Sequence, residues 1–209
     1  MRQETVETAP ELKALAAAYG ECLWDWACIE ARLFHVFTAA SGLVRSLSPA
    51  DTERQQTLAR TFFAINGMRI RVAITHALAQ QRWKKSPHLA TWKIIYKELE
   101  KQRRVRGIIG HRAGFMYPDP DSSKPTIALL IDPRLYVDMA VNVHEAKNHG
   151  ISLVELMKIQ QDFLRLQRRM AEFVLTLVLE QHAACPQPQV GPPLQPLADK
   201  DDPTPKGSP

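Results

Sequence analysis

Residues 153–180 read LVELMKIQQDFLRLQRRMAEFVLTLVLE, the most strongly patterned stretch of the chain. Their apolar members recur at steps of three and four, which is the spacing of one face of an α-helix. These members are Leu153, Leu156, Ile159, Phe163, Leu166, Met170, Phe173 and Leu177. Directly before the stretch, Ser152 with Glu155 forms a capping-box pattern, which satisfies free backbone donors at a helix start. The sequence therefore predicts a long amphipathic helix that begins next to Ser152.

Three further helices are predicted, over 8–42, 49–81 and 87–109. The first opens with a capping box, and each of the other two opens with a Ser-Pro pair, in which serine caps the helix and proline suits its first turn. An apolar stripe runs through the second segment without interruption, so we expect one continuous helix there. Its members are Leu58, Phe62, Ile65, Val72 and Leu78.

The pattern changes between 114 and 133. A cluster of turn residues at 118–123 precedes a short β-favouring run at 127–131, and together they predict a small hairpin. Helical periodicity resumes over 134–149. The predicted fold class is therefore mainly α: a bundle of four to five long amphipathic helices with a short β-hairpin-like insertion around 114–133.

The composition of the chain changes again after Cys185. Eight of the fifteen prolines lie in 186–209. Because proline removes a backbone donor and fixes φ, this stretch cannot build a helix or a sheet ladder. We expect one folded helical domain over 8–184 and a disordered Pro-rich tail over 185–209.

Length and composition exclude several classes of protein. A chain of 209 residues suits one domain with a tail, and no apolar run approaches the roughly 20 residues that cross a bilayer. The three cysteines are too scattered for a disulfide framework or a thiolate metal site. Acids stand at the N-terminus where a secretory signal carries its apolar stretch, so we expect a cytoplasmic protein without a membrane segment.

Positive charge is concentrated in one segment of the chain. Residues 82–112 carry ten lysines and arginines and two acids, a local charge of 10 − 2 = +8, whereas the whole chain sums to +5. Such an excess attracts polyanions, of which phosphate backbones are the commonest in cells. A solvated helix face is the structural alternative.

Histidines are the side chains best suited to proton transfer near neutral pH. His144 and Glu145 followed by His149 resemble a metalloprotease helix, but a five-residue step separates the two histidines by about 140° around a helix, too far to share one zinc ion. The sequence also lacks glycine-rich phosphate loops and nucleophile elbows. We therefore expect neither a metal nor a cofactor.

A cluster of arginines runs into a histidine at 100–112, which reads EKQRRVRGIIGHR. Here the chain resembles the HEPN (higher-eukaryote-and-prokaryote nucleotide-binding) family, and most of all its bacterial branch. The family's motif is an arginine, four to six residues, then a histidine. Arg106 with His111 fits the four-residue spacing, and Arg104 with His111 fits the six. The resemblance extends loosely over the folded unit, as two long helices, a third ending in the motif, a loop and closing helices.

The motif spacing alone does not select this histidine. Arg71 and Arg69 fit the same rule with His76, and Arg82 fits it with His88. Only His111 combines a dense arginine cluster with a glycine that ends the helix and a following loop, so context favours it.

The resemblance implies metal-independent RNA cleavage. His111 would act as general base or acid at the ribose 2′-hydroxyl, and Arg106 would hold the scissile phosphate. Four further cations would attract the RNA backbone, namely Lys101, Arg103, Arg104 and Arg112. The family usually has a polar residue directly after the arginine, and this sequence has Gly107 there.

Convergence of the two catalytic residues needs more than a regular helix. Five residues apart, Arg106 and His111 would point about 140° away from each other. They can meet if the helix breaks at Gly107 or Gly110, or if a second subunit completes the site. Family members are commonly dimers with the motif at the interface, so the resemblance implies a homodimer.

Three functions stay open at this point. The first is an RNA-directed ribonuclease of a bacterial toxin or defence system, with an antitoxin-type partner protein. The second is a HEPN-like module that dimerises or binds RNA without cutting it, and the third is a helical scaffold whose basic helix contacts an acidic partner. Among the tryptophans, we expect Trp26 and Trp92 in the core and Trp83 as the one placed to stack on a base.

Overall fold

A computed structural model describes residues 10–42, 49–117, 127–132 and 149–184. Within these ranges the chain forms five helices and three short strands, so the prediction of a mainly α fold with a short hairpin is confirmed. The helices are α1 (Pro10–Ala40), α2 (Pro49–Ala64), α3 (Met68–Arg82), α4 (His88–Ile109) and α5 (Leu153–Ala184). The strands are β1 (Ala113–Tyr117), β2 (Ile127–Ile131) and β3 (Ile151–Ser152).

The prediction of one continuous helix over 49–81 is wrong, because the chain breaks between α2 and α3. Gly67 has a φ of 89°, a conformation that side chains with a β-carbon rarely adopt. Arg71 stabilises the break by donating to the backbone oxygens of Phe63 (3.0 Å) and Ile65 (3.1 Å). Its guanidinium also forms an ion pair with Glu30 of α1 at 3.0 Å. The apolar stripe continues across a turn and so conceals it in the sequence.

The predicted start of α5 is confirmed in detail. The Ser152 backbone N–H donates to Oε2 of Glu155 at 2.9 Å, and the Glu155 N–H donates to Oγ of Ser152 at 3.3 Å. These hydrogen bonds from Ser152 lower the pKa of the Glu155 carboxyl. Before α4, Oγ of Ser86 accepts from the His88 N–H at 3.2 Å, but the helix begins at His88 and its cap position is Pro87, one residue later than predicted.

The core lies mainly between α1 and α5, which run alongside each other in the same direction. Fully buried side chains from both helices fill it: Leu15, Ile29, Leu33, Leu156, Phe163, Leu166 and Met170. Within this interface Gln167 Nε2 donates to the backbone oxygen and to Oδ1 of Asp25, both at 2.9 Å. A buried amide with partners of this kind fixes the register of two helices.

The strands form an antiparallel sheet in the order β1–β2–β3. The register of the hairpin runs from Ala113 opposite Ile131 to Tyr117 opposite Ile127. The hairpin packs on α1, and a β-carbon at Gly114 would lie only 3.1 Å from Cδ1 of Leu12. Glycine therefore permits the close approach of β1 to α1. Sequence patterning did not predict β3, because a two-residue strand carries no periodicity.

Some predicted features lie outside the described residues. These are the caps at Thr8 and Ser48, the helix over 134–149 and the tail over 185–209. No helix in the described part of the chain combines the length and the apolar character needed to span a bilayer.

Candidate nucleic-acid site at the end of helix α4

Three histidines fit the arginine–histidine spacing, and the structure gives them different surroundings. The ring of His76 stacks on Tyr96, with centroids 3.8 Å apart, and its Nδ1 accepts a hydrogen bond from Nε1 of Trp92 at 3.2 Å. Burial and then Lys93 lower the pKa of His76, which favours the neutral imidazole that accepts this bond. Its partner by spacing, Arg71, is bound at the α2–α3 turn. This pair is therefore structural.

His88 begins α4 and is also bound within the fold. Its Nε2 lies 2.7 Å from Oε2 of Glu180 on α5. The ring contacts Trp83 and Phe173 edge-on, with centroids 6.2 Å away in each case. An imidazole held by a carboxylate and two aromatic rings positions α4 against α5.

His111 lies beyond the other end of α4 and is exposed. Ile109 is fully buried and ends the helix, after which Gly110 donates to the Arg106 oxygen at 2.9 Å and Arg112 to the Ile109 oxygen at 3.1 Å. Among residues 10–42, 49–117, 127–132 and 149–184, none forms a hydrogen bond or ion pair with the His111 ring. Of the three histidines it is the one open to a ligand.

The guanidinium of Arg106 lies over Gly110, directly before His111. A β-carbon at Gly110 would overlap Nη1 of Arg106, so the absence of a side chain there makes room for the arginine. Adjacent α-carbons are about 3.8 Å apart. Arg106 therefore reaches the neighbourhood of His111 by bending along the helix axis, although the two residues leave the helix about 140° apart.

The four cations predicted to bind RNA divide into two pairs. Arg103 is bound to Glu100 through hydrogen bonds of 3.2 and 2.9 Å, which raise the pKa of its guanidinium. Arg112 Nη1 donates to the backbone oxygens of Leu130 (3.1 Å) and His149 (2.5 Å), and so ties the sheet to the segment before α5. Both of these arginines have roles within the fold.

Lys101 and Arg104 are exposed, and neither pairs with an acid in the part of the chain that the structure describes. They share one side of α4 with Lys97, since the three lie within about 60° around the helix axis. Gly110 keeps helical dihedrals (φ −69°, ψ −10°), so the α-carbon of His111 follows on nearly the same side, seven residues after Arg104. A line of free cations thus leads to the exposed imidazole.

Sequence reasoning missed what α5 contributes to this surface. A cavity of about 380 Å³ opens between α4 and α5, next to Lys97 and Lys101. Its α5 side carries Arg165 and Arg169. The two arginines stand on exposed positions of a strongly amphipathic helix, but only the packing of α5 against α4 shows that they face the basic segment.

The tryptophan predictions are partly wrong. Trp26 and Trp92 are buried, as expected, whereas Trp83 is only 6% exposed and packs edge-on against Phe173. It cannot stack on a base without leaving the core. The exposed tryptophan is Trp24, at 73%, on the outer side of α1. Trp83 precedes two lysines in sequence, but the turn after α3 directs it inward.

Metal-ligating side chains do not gather in groups of three or more within the described residues. Cys22 is buried and donates to the Leu156 oxygen at 3.5 Å, and burial raises the pKa of its thiol to about 11. A thiol that stays protonated is a poor nucleophile and a poor metal ligand. In comparisons with known proteins, no family model, no curated protein and no solved structure matches this chain.

Proposed function

We propose that the end of α4 is the catalytic site of a metal-independent ribonuclease of the HEPN kind. The observation that carries the proposal is the position of the Arg106 guanidinium over Gly110, one residue before the exposed His111, whose ring has no hydrogen-bond or ion-pair partner among the described residues. A guanidinium close to an exposed imidazole supplies two groups that can promote RNA cleavage through the ribose hydroxyl.

In the proposed reaction His111 removes the proton from the 2′-hydroxyl of the ribose. The 2′-oxygen then forms a bond to the neighbouring phosphorus, and the bond from phosphorus to the 5′-oxygen breaks. The departing 5′-oxygen takes a proton from the imidazolium or from water. The products are a 2′,3′-cyclic phosphate and a free 5′-hydroxyl, so no metal-bound water takes part. A neutral imidazole can accept the first proton, and the imidazolium that results can donate it to the leaving oxygen.

Arg106 binds the phosphate in this scheme. Its planar donors can hold two non-bridging oxygens at once, and they offset the charge that builds up as the fifth bond to phosphorus forms.

The chemistry of the products tests the proposal. A labelled single-stranded RNA is incubated with the protein in excess chelator, and the fragment ends are identified by mass. We expect 2′,3′-cyclic phosphate ends, and we expect a strand with one 2′-deoxy nucleotide to resist cleavage at that linkage alone. Intact RNA, or cleavage that the chelator abolishes, would contradict the proposal.

A non-catalytic module is the second candidate, and the surface at Gly107 favours it. The family's polar residue is replaced there by an exposed glycine, and a β-carbon would meet nothing within 4 Å. Such a protein would bind RNA through exposed cations or hold an acidic partner protein, and it would leave RNA intact. Affinity that falls steeply with salt, without cleavage, would identify the RNA-binding form.

The homodimer and the antitoxin-type partner also stay proposals. Equilibrium sedimentation of the purified chain across a range of concentrations tests the first. A strictly monomeric species with full ribonuclease activity would show that one chain holds a complete site.

A further inference from the structure

A groove separates α4 from α5 on the same side of the molecule as the line of free cations. We name it the α4–α5 groove and define it by the residues around its 380 Å³ cavity: Lys97, Glu98, Lys101, Asp162, Arg165 and Arg169. The buried Gln102 lies at its base. No step of the proposed cleavage chemistry uses this groove.

The charges around the groove do not cancel. Glu98 is bound by Arg169 across the groove at 2.5 Å, and Asp162 is bound by Arg165 one turn along α5. Each acid is thus already neutralised by an arginine. Lys97 and Lys101 remain, since neither forms an ion pair with any residue in the described ranges. Two ammonium groups without counter-charges at the edge of a concave surface attract an anion.

The spacing of the lysines suits a chain of anions better than a single one. Lys97 and Lys101 are four residues apart, about 6 Å along the helix axis, and Arg104 continues the line. His111 lies about 21 Å from Lys97 along the same axis. A ligand that contacts all of these groups has to be elongated and to carry repeated negative charge.

We propose that the α4–α5 groove is a phosphate-binding track that holds the RNA strand away from the cleaved linkage and directs it to His111. This inference rests on the proposed function for the identity of the polyanion. The lysines contact phosphates rather than bases, so the track binds single-stranded RNA without regard to sequence. A free nucleotide carries the same phosphate chemistry, but it spans only a fraction of the line from Lys97 to His111.

The salt dependence of RNA binding tests the track. The double variant Lys97→Gln/Lys101→Gln is made in a His111→Ala background, so that the probe, a fluorescein-labelled single-stranded RNA of mixed sequence, stays intact. Each phosphate contact to a single strand contributes about 0.7 to the slope of log affinity against log salt concentration. We therefore expect the slope to fall by about 1.4 and the affinity to fall for all sequences alike.

The matched control is Lys84→Gln/Lys85→Gln in the same background. These two lysines are exposed and lie between α3 and α4, outside the groove. Their replacement removes the same charge as the groove variant does. An equal loss of slope in both double variants would overturn the track, because the effect would then come from net charge. An unchanged slope in the groove variant would overturn it as well.

A separate titration distinguishes an RNA strand from a free nucleotide as the ligand that supplies the phosphate. Adenosine monophosphate is titrated into the His111→Ala protein and into its groove variant. Binding of the mononucleotide that depends on the lysines, with RNA binding unaffected, would assign the groove to a small ligand and contradict the track. Because these measurements need no cleavage, they fail or succeed independently of the ribonuclease proposal, which the product analysis decides.

Discussion

The two ends of α4 each present a histidine, and the fold treats them in opposite ways. At the first end, His88 is bound to Glu180 and lies against Trp83 and Phe173. At the last end, His111 is exposed, and the guanidinium of Arg106 lies over the preceding Gly110. The same residue type is a packing element at one end and an available proton carrier at the other.

The difference comes from the elements that pack against each end. The second half of α5 runs past the start of α4 and brings Glu180 and Phe173 to it. At the far end, α4 stops at the buried Ile109 and the chain turns into β1, and His111 in that turn remains exposed. A histidine becomes available for chemistry where the element that would cover it is diverted, and the sequence around it need not be unusual.

The largest expected effect concerns protein stability and the packing near the first end of α4, where His88 is bound. Trp92 is fully buried, and its Nε1 donates to His76. Replacing Trp92 with alanine leaves a large cavity, and we expect it to lower the free energy of unfolding by about 3–5 kcal/mol. Chemical denaturation followed by circular dichroism measures this change. Trp24→Ala is the matched control and should stay within about 0.5 kcal/mol of the parent; equal losses would contradict the assignment of the core.

At the last end of α4, where His111 is exposed, we expect the substitution Gly110→Ala to change RNA cleavage rather than stability. The backbone of Gly110 suits alanine, but the new β-carbon would displace the Arg106 guanidinium. A misplaced catalytic group costs about 10²-fold in rate, so we expect RNA cleavage to fall by that factor while the midpoint of thermal unfolding changes little. Gly107→Ala, at an open position of the same helix, is the control and should retain activity. Full activity of Gly110→Ala would show that the seating of Arg106 is irrelevant.

The smallest expected effect is a pH dependence of stability that arises from His76, which contacts Trp92 near the first end of α4. Burial and Lys93 lower the pKa of His76 from its ordinary value of 6.5, so the unfolded chain takes up a proton before the folded one does. The contribution of this group to stability is therefore fully present above pH 6.5 and declines as the pH falls toward the folded-state pKa. Unfolding measured from pH 7.5 to 5 should show a smaller decline for His76→Gln than for the parent. An identical decline would contradict this assignment.

Patterns among residues close in sequence are sufficient to predict the parts of the fold that depend on short-range interactions. The apolar spacing of α5 and the hydrogen bonds between Ser152 and Glu155 depend on residues a few positions apart, and both were predicted. The break at Gly67 was missed, because a glycine inside an apolar stripe does not reveal that Arg71 will satisfy the carbonyls freed by a turn. The hairpin was predicted from its turn residues, but its third strand was not.

The candidate site shows the same division. The arginine cluster and His111 are predicted from their order in the sequence, together with the glycine at the end of the helix. Long-range packing determined the rest: Trp83 turned inward, Arg112 was bound to backbone oxygens of Leu130 and His149, and the α4–α5 groove acquired Arg165 and Arg169 from a helix more than fifty residues away. Spacing in one segment carries no information on such contacts.

The most direct test of the account compares the two histidines of α4 in one cleavage reaction. His111→Gln and His88→Gln are assayed with labelled RNA in excess chelator, after circular dichroism has shown that both are folded. Loss of a general acid or base lowers a rate by about 10²–10⁴-fold, and we expect this loss for His111→Gln, with His88→Gln close to the parent. Equal rates for the two variants, or a loss confined to His88→Gln, would contradict the assignment of the active site to the end of α4 at His111.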